Sequence, residues 1–137
     1  MRVKVASQGS GILEVMTSTT SYAALTRDIS SQLAVLRSDL PASMKAFNDL
    51  AKATLSDGAL TEKTKELIAL ALGVAARCDG CLGFHAKALA RLGATRAEVE
   101  EALAVAVYMG GGPSLMYSAN AMTAFAEFAQ QSSEIRS

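Results

Sequence analysis

Four residues in the middle of the chain have the types and spacing that thiol chemistry requires. Cys78 and Cys81 are three residues apart, His85 follows Cys81 by four residues, and Glu66 precedes Cys78 by twelve. A free thiol has a pKa of about 8.5, but the positive end of a helix and a nearby imidazolium stabilise the reactive thiolate. The set predicts Cys81 as the nucleophile, Cys78 as a second thiol that resolves it, His85 as the proton acceptor and Glu66 as the carboxylate that orients the imidazole.

These four side chains meet only if two helices run antiparallel. If one helix ends near Arg77 and the chain reverses there, Glu66 lies about 16 Å before the turn and His85 about 12 Å after it, at about 1.5 Å of rise per residue. Cys81 and His85 then share one face of the second helix, with Cys78 at its start. We expect the four residues to converge on one site.

Two thiols at this spacing predict a redox cycle. A peroxide would oxidise Cys81 to a sulfenic acid, and Cys78 would condense with it to form a disulfide that a reducing partner can open. Two other interpretations stay open: buried cysteines without chemistry, or a structural zinc ion held by two Cys, a His and a Glu. Structural zinc usually joins two separated ligand pairs, and the sequence has one such pair, so we predict neither a metal nor a cofactor.

The elements that must position this site are all predicted to be helices. Apolar residues recur at three- and four-residue steps, and no segment alternates with period two, so no sheet is expected. About six helices are indicated by these stripes and signals: Tyr22 to Leu40, Met44 to Leu55, Glu66 to Arg77, Cys78 to Gly93, a capping box at Thr95 and Glu98 opening a helix to Met109, and a last helix from Pro113. Asp79 is expected to be the N-cap of the fourth. Met44, Met109, Met116 and Met122 are expected to fill the core.

Composition limits the classes of function. The chain has 137 residues, half of them hydrophobic, and 13 basic residues balance 13 acidic ones, so no nucleic-acid or anionic-membrane partner is expected. The longest apolar run, residues 67–76, is far below the roughly 20 residues of a membrane-spanning helix, and residues 1–20 lack a signal-peptide core. We expect a soluble cytoplasmic protein in which residues 1–20 are a tail, disordered or packed on a neighbour, and residues 21–137 form one helical domain. Its many alanines favour an oligomer.

The spacing of Glu66, Cys78, Cys81 and His85 resembles the active-site signature of the alkylhydroperoxidase D branch of the carboxymuconolactone decarboxylase-like superfamily. The likeness extends over about residues 41–129. It implies an all-α bundle that assembles as a trimer or hexamer, with Cys81 as the peroxidatic residue, Cys78 as the resolving one and Glu66 with His85 as the proton relay. It also implies a hydroperoxide substrate and a dithiol reductant, such as a lipoyl-bearing protein.

The sequence departs from that family at one point. The best-known members have a second histidine between the two cysteines, where this chain has Asp79 and Gly80. A carboxylate beside the thiols disfavours the thiolate unless the helix terminus offsets it. A carboxymuconolactone decarboxylase-like lyase that uses Glu66 and His85 without thiols is the alternative enzyme, and a non-catalytic helical oligomer with a structural zinc is the alternative without catalysis.

Overall fold

The computed structural model describes residues 21–137, which form six α-helices and, over this range, no strand. The helices are α1 (Tyr22–Asp39), α2 (Pro41–Leu55), α3 (Glu62–Ala75), α4 (Asp79–Arg91), α5 (Arg96–Gly110) and α6 (Gly112–Arg136). The prediction of an all-α fold with about six helices is confirmed. The predicted N-terminal tail lies outside the described residues, and the division into tail and domain stays a prediction.

Helices α3 to α6 form the body of the molecule and enclose its core. α4 is the central element, because it packs against α6, α3 and α1. Its inward face carries Leu82, Ala86 and Leu89, each fully buried in the core cluster that also includes Leu70 of α3 and Phe125 of α6. The core therefore holds α4 on three sides, and α4 is the helix that carries the two cysteines and the histidine.

The start of α1 is fixed to the body by a carboxylate from α6. Glu127 accepts hydrogen bonds from the backbone N–H groups of Tyr22 and Ala23, at 3.0 Å each, and from the Ser21 hydroxyl at 3.1 Å. An acidic side chain at this end of a helix accepts hydrogen bonds from free N–H groups and interacts favourably with the positive end of the helix dipole. The first two turns of α1 are thereby held against α4, and the buried residues of α1 all lie there.

The rest of α1 and all of α2 contribute no buried residue. Apolar side chains on this segment, among them Phe47 and Leu50, stay exposed to solvent. The expectation that Met109 and Met116 fill the core is also wrong, since both are exposed on α5 and α6. None of the described helices is both long and apolar enough to cross a membrane.

Candidate active site

The turn between α3 and α4 reverses the chain within three residues. The N–H of Cys78 donates to the carbonyl of Gly73 at 3.0 Å, and the N–H of Arg77 donates to that of Val74 at 3.1 Å. This pair of hydrogen bonds is a Schellman motif, which requires a left-handed residue just after the helix. Arg77 takes that conformation, with φ 53°. α3 therefore ends at Ala75, two residues before the predicted end, and α4 begins at once.

The first turn of α4 holds both cysteines. Cys78 is the N-cap: its sulfur accepts a hydrogen bond from the backbone N–H of Cys81 at 3.2 Å. The prediction that Asp79 is the N-cap is wrong, since Asp79 is the first helical residue and is exposed. The two cysteines form a disulfide, with their Cα atoms 5.2 Å apart. Both sulfurs lie at the positive end of the α4 dipole, which stabilises a thiolate once the disulfide is reduced.

Glu66 and His85 meet across the α3–α4 interface. His85 Nδ1 and Glu66 Oε2 are 2.6 Å apart, which places the two residues level on antiparallel helices. The Glu66 side chain is 5% exposed and that of His85 28%. In a pair of ionised carboxylate and neutral imidazole, Nδ1 is the donor to Glu66 and Nε2 is an acceptor that faces away from it. Cys81, one helical turn before His85, lies on the same face of α4.

A glycine that sequence reasoning overlooked lets the two helices approach at the level of the thiols. A Cβ atom at Gly73 would lie 3.1 Å from the Cβ of Cys81 and 3.6 Å from Cδ2 of Leu82. A glycine within a helix costs about 0.5–1 kcal/mol relative to alanine, so its presence in the apolar α3 is a signal of close packing. The side of α3 that faces Cys81 has no room for a side chain.

A second close approach holds the opposite side of α4 against α1. A Cβ at Gly83 would lie 2.6 Å from Cγ2 of Thr26 and 3.5 Å from Cδ1 of Tyr22. Burial raises the pKa of the Tyr22 phenol above its ordinary value of 10.0, and the nearby Asp79 carboxylate raises it further. Tyr22 therefore stays neutral at physiological pH and forms part of the packing that supports the cysteine-bearing turn.

The structure thus places the four predicted site residues on the α3–α4 pair as two contacting pairs, Cys78 with Cys81 and Glu66 with His85, one helical turn apart along α4. Cys78, Cys81 and His85 are half-buried, so a small molecule can reach them from solvent, while Glu66 is buried behind the histidine. Within residues 21–137, no three His, Cys, Asp or Glu side chains are placed to share a metal ion.

Comparisons with known proteins agree with the fold and with the superfamily resemblance. A solved apo structure of a carboxymuconolactone decarboxylase family protein from Legionella pneumophila superposes with a TM-score of 0.78 at 56% identity, covering 79% of this chain and 96% of that one. An uncharacterized protein of Cupriavidus necator is 43% identical over 98 residues, 72% of this chain and 87% of its own length. An uncharacterized protein encoded in the cox locus of Paracoccus denitrificans is 37% identical over 82 residues, 60% of this chain and 74% of its own.

The model of the carboxymuconolactone decarboxylase family matches residues 41–124, which is more than half of the chain and includes the whole of the α3–α4 site. With the fold, the site geometry and this match in agreement, the chain belongs to the carboxymuconolactone decarboxylase family.

Proposed function

We propose that this protein is a thiol-dependent hydroperoxide reductase and disulfide oxidoreductase in which Cys78 and Cys81 are the redox pair. The observation that carries the proposal is their position: a disulfide at the positive end of α4, one turn from a histidine that a buried glutamate orients at 2.6 Å. A decarboxylation site would need the Glu66–His85 pair but would have no use for two cysteines at the helix start.

The first step oxidises Cys81. His85 Nε2, left unprotonated by the Glu66 contact, accepts the thiol proton directly or through a water molecule. The thiolate attacks one oxygen of the hydroperoxide, and the O–O bond breaks. The alkoxide that leaves takes a proton from His85 and departs as an alcohol. Cys81 becomes a sulfenic acid, having given two electrons to the peroxide.

The second step protects Cys81 from further oxidation. Cys78, deprotonated, attacks the sulfur of the sulfenic acid, the S–O bond breaks, and hydroxide leaves as water after taking up the proton. The helix start accommodates the product disulfide, with a Cα separation of 5.2 Å that lies within the usual range for disulfides. A dithiol reductant then attacks the disulfide, passes through a mixed disulfide and leaves as its own disulfide, which restores both thiols.

The partners follow from this chemistry. The substrates are a hydroperoxide and a dithiol, for which a lipoyl-bearing protein is our candidate. Separately from the chemistry, the superfamily resemblance leads us to propose that the protein assembles as a homo-oligomer, a trimer or a hexamer. A cysteine pair that must be reduced in every cycle suits a reducing compartment, so we place the activity in the cytoplasm. The protein uses neither a metal nor a cofactor in this cycle.

The test is hydroperoxide consumption with a small dithiol as reductant, in the wild type and in Cys81→Ser. We expect Cys81→Ser to reduce the rate at least 100-fold, because the nucleophile is absent. In the wild type, reduced beforehand and then freed of dithiol, mass spectrometry after one equivalent of peroxide should show a loss of two hydrogens from the peptide that contains both cysteines. Full turnover by Cys81→Ser would overturn the assignment of the nucleophile.

Glu66→Gln tests the relay, with Glu62→Gln as its matched control. Glu62 lies one turn earlier on α3 and pairs at the surface with Arg91. A positioned acid–base group contributes about 10²–10⁴-fold to a rate, and Glu66 acts through the histidine, so we expect a 10- to 100-fold loss for Glu66→Gln and less than twofold for Glu62→Gln. The expected mark of a relay is a shift in the pH profile of peroxide reduction that Glu62→Gln does not share.

A lyase of the carboxymuconolactone decarboxylase type is the second candidate, because the family match covers the Glu66–His85 pair. Such an enzyme would retain its activity on a lactone when both cysteines are replaced by serine. Lactone turnover by the double variant, together with absent peroxide turnover by the wild type, would select the lyase.

A further inference from the structure

A pocket of about 420 Å³ lies on the outer surface where α4 and α6 pack side by side. Half of its lining is apolar, two of its residues are basic, and no acidic residue of the described chain lines it. The apolar members are Phe84, Ala88, Phe128 and Ile135, and the basic ones are Lys87 and Arg91. Aromatic walls with a few polar groups are typical of sites for small apolar ligands.

The pocket begins beside the reactive residues. Phe84 follows Cys81 by three residues, and Ala88 follows His85 by three, so each lies about one turn farther along α4 on the same side of the helix. Phe84 is 36% exposed although it is a large aromatic residue. A ligand held against Phe84 and Ala88 would therefore have one end next to the Cys81 thiol and the His85 ring.

Close packing covers the flanks of Cys81. On one side α3 approaches at Gly73, where a Cβ would lie 3.1 Å from the Cβ of Cys81. On the other side α1 lies over Gly80, where a Cβ would lie 2.9 Å from Cδ1 of Ile29. The Cys81 thiol is therefore approached from the outer surface of α4, which is the surface that leads along Phe84 into the pocket.

The positive charge in the pocket lies at a distance from the thiol. Lys87 has no ion-pair partner within residues 21–137, whereas Arg91 donates to Glu62 at 2.7 Å and its charge is thereby offset. Lys87 is six residues beyond Cys81 and Arg91 is ten, so the two cations lie about 9 and 15 Å from Cys81 along the helix axis. An anionic group that binds Lys87 must be separated from the reacting oxygen by an apolar chain.

We infer that the pocket binds the chain of a fatty-acid hydroperoxide, with the hydroperoxide at Cys81 and the carboxylate at Lys87. The inference rests on the proposed function and names the substrate class of that same site. The apolar contacts with Phe84 and its neighbours provide most of the selectivity, because a solvent-exposed ion pair adds at most about fivefold to an affinity. Hydrogen peroxide is too small to contact the pocket.

The kinetic test compares hydrogen peroxide, linoleic acid hydroperoxide and the methyl ester of the latter. In Phe84→Ala we expect kcat/KM for the fatty-acid hydroperoxide to fall at least 10-fold, through KM, and that for hydrogen peroxide to stay within twofold. Lys87→Gln should lower kcat/KM two- to fivefold for the acid and leave the ester unchanged. The controls are Val105→Ala, an exposed apolar position on α5, and Lys52→Gln on α2, neither of which lines the pocket.

The binding test does not require turnover. Decanoate, an apolar carboxylate without a peroxide, is titrated by calorimetry into the oxidised protein, in which both cysteines are in the disulfide. We expect Phe84→Ala and Ala88→Leu each to weaken binding at least 10-fold, the first by removing an aromatic wall and the second by filling the pocket, and Val105→Ala to bind as the wild type does. Ala88→Leu keeps the test decisive if Phe84→Ala lacks wild-type helicity.

The two measurements separate the ligand class from the activity. Absence of decanoate binding to the wild type, or binding that neither pocket variant weakens, would overturn the inference. Equal losses for hydrogen peroxide and for the fatty-acid hydroperoxide in Phe84→Ala would also overturn it, because the damage would then be to the thiol site. Decanoate binding that depends on Phe84, in a protein that reduces no peroxide, would refute the proposed activity and support the ligand class.

Discussion

The turns at the two ends of α4 share one backbone design but differ in the residues that build it. Before α4, the N–H of Cys78 donates to Gly73 at 3.0 Å; after α4, the N–H of Ala94 donates to Leu89 at 3.0 Å. Each turn has a left-handed residue at the same place and leads directly into the next helix. The first uses Arg77, with φ 53°, and the second uses Gly93, with φ 73°.

The N-caps of the two helices that follow these turns also differ, and again the less favoured residue is at the site. α5 begins with a complete capping box, in which Thr95 and Glu98 each accept the other's backbone N–H. α4 begins with Cys78, whose sulfur is a weak acceptor in place of the Ser, Thr, Asp or Asn that caps prefer. The turn away from the site has the locally favoured residue at each position, and the turn at the site does not. We attribute the difference to a requirement for a thiol at the start of α4.

Cys78→Ser is expected to have the largest effect of these changes, because it should raise stability while it removes activity. Serine is a strong N-cap, so the reduced variant is expected to be about 0.5–1 kcal/mol more stable than the reduced wild type. Without the resolving thiol no intramolecular disulfide forms, and we expect steady-state peroxide reduction to fall at least 100-fold. Urea unfolding with dithiol present and the peroxide assay measure the two effects.

Thr95→Ala is the matched change at the other turn. It removes a side-chain cap and should lower stability by about 1 kcal/mol, with peroxide reduction within twofold of the wild type. If Cys78→Ser were instead less stable than the reduced wild type, Cys78 would not be a weaker N-cap than serine. The contrast between the two turns would then lose its explanation.

Exchanging the left-handed residues of the two turns should change stability in opposite directions. A side chain in the left-handed region costs about 1–2 kcal/mol, so Gly93→Arg is expected to destabilise the protein by about that amount. Arg77→Gly relieves the same strain but gives the unfolded chain more freedom, and its net gain should be a few tenths to about 1 kcal/mol. Urea midpoints with the disulfide reduced measure both. An Arg77→Gly protein that is less stable would show that the arginine side chain makes a stabilising contact.

Features that depend only on short stretches of sequence could be predicted from the sequence alone. The helix order, the capping box at Thr95 and the level register of Glu66 with His85 all follow from periodicity, cap preferences and the rise of a helix. Cys78 as the cap of α4 was missed because cysteine is not a preferred N-cap residue, and Asp79 beside it is. Gly73 was missed because its role depends on how near α4 lies, which no single helix determines.

The prediction of the core failed for apolar residues that the described chain leaves exposed. A three- and four-residue apolar stripe predicts that one helix face is covered, but not by which molecule. Phe47 and Leu36 follow the predicted stripes of α2 and α1 and yet are exposed, as are Met109 and Met116. The stripes identify the helices correctly but do not identify what covers each apolar face.

The smallest expected effect concerns pH and only the second turn. The hydrogen bond from Lys63, followed by the backbone N–H of Thr95, holds the pKa of Glu98 below its ordinary value of 4.5. As the pH falls, the Glu98 carboxylate is therefore protonated in the unfolded chain before it is protonated in the folded one. Its contribution to stability is present above pH 4.5 and is lost as the pH falls through the folded pKa. By urea unfolding, Glu98→Gln should be less stable than the wild type at pH 7, and this difference should shrink as the pH falls below 4.5. Glu101→Gln, exposed on the same helix, should show no such convergence, and a constant gap for Glu98→Gln would mean that the carboxylate charge plays no part in the cap.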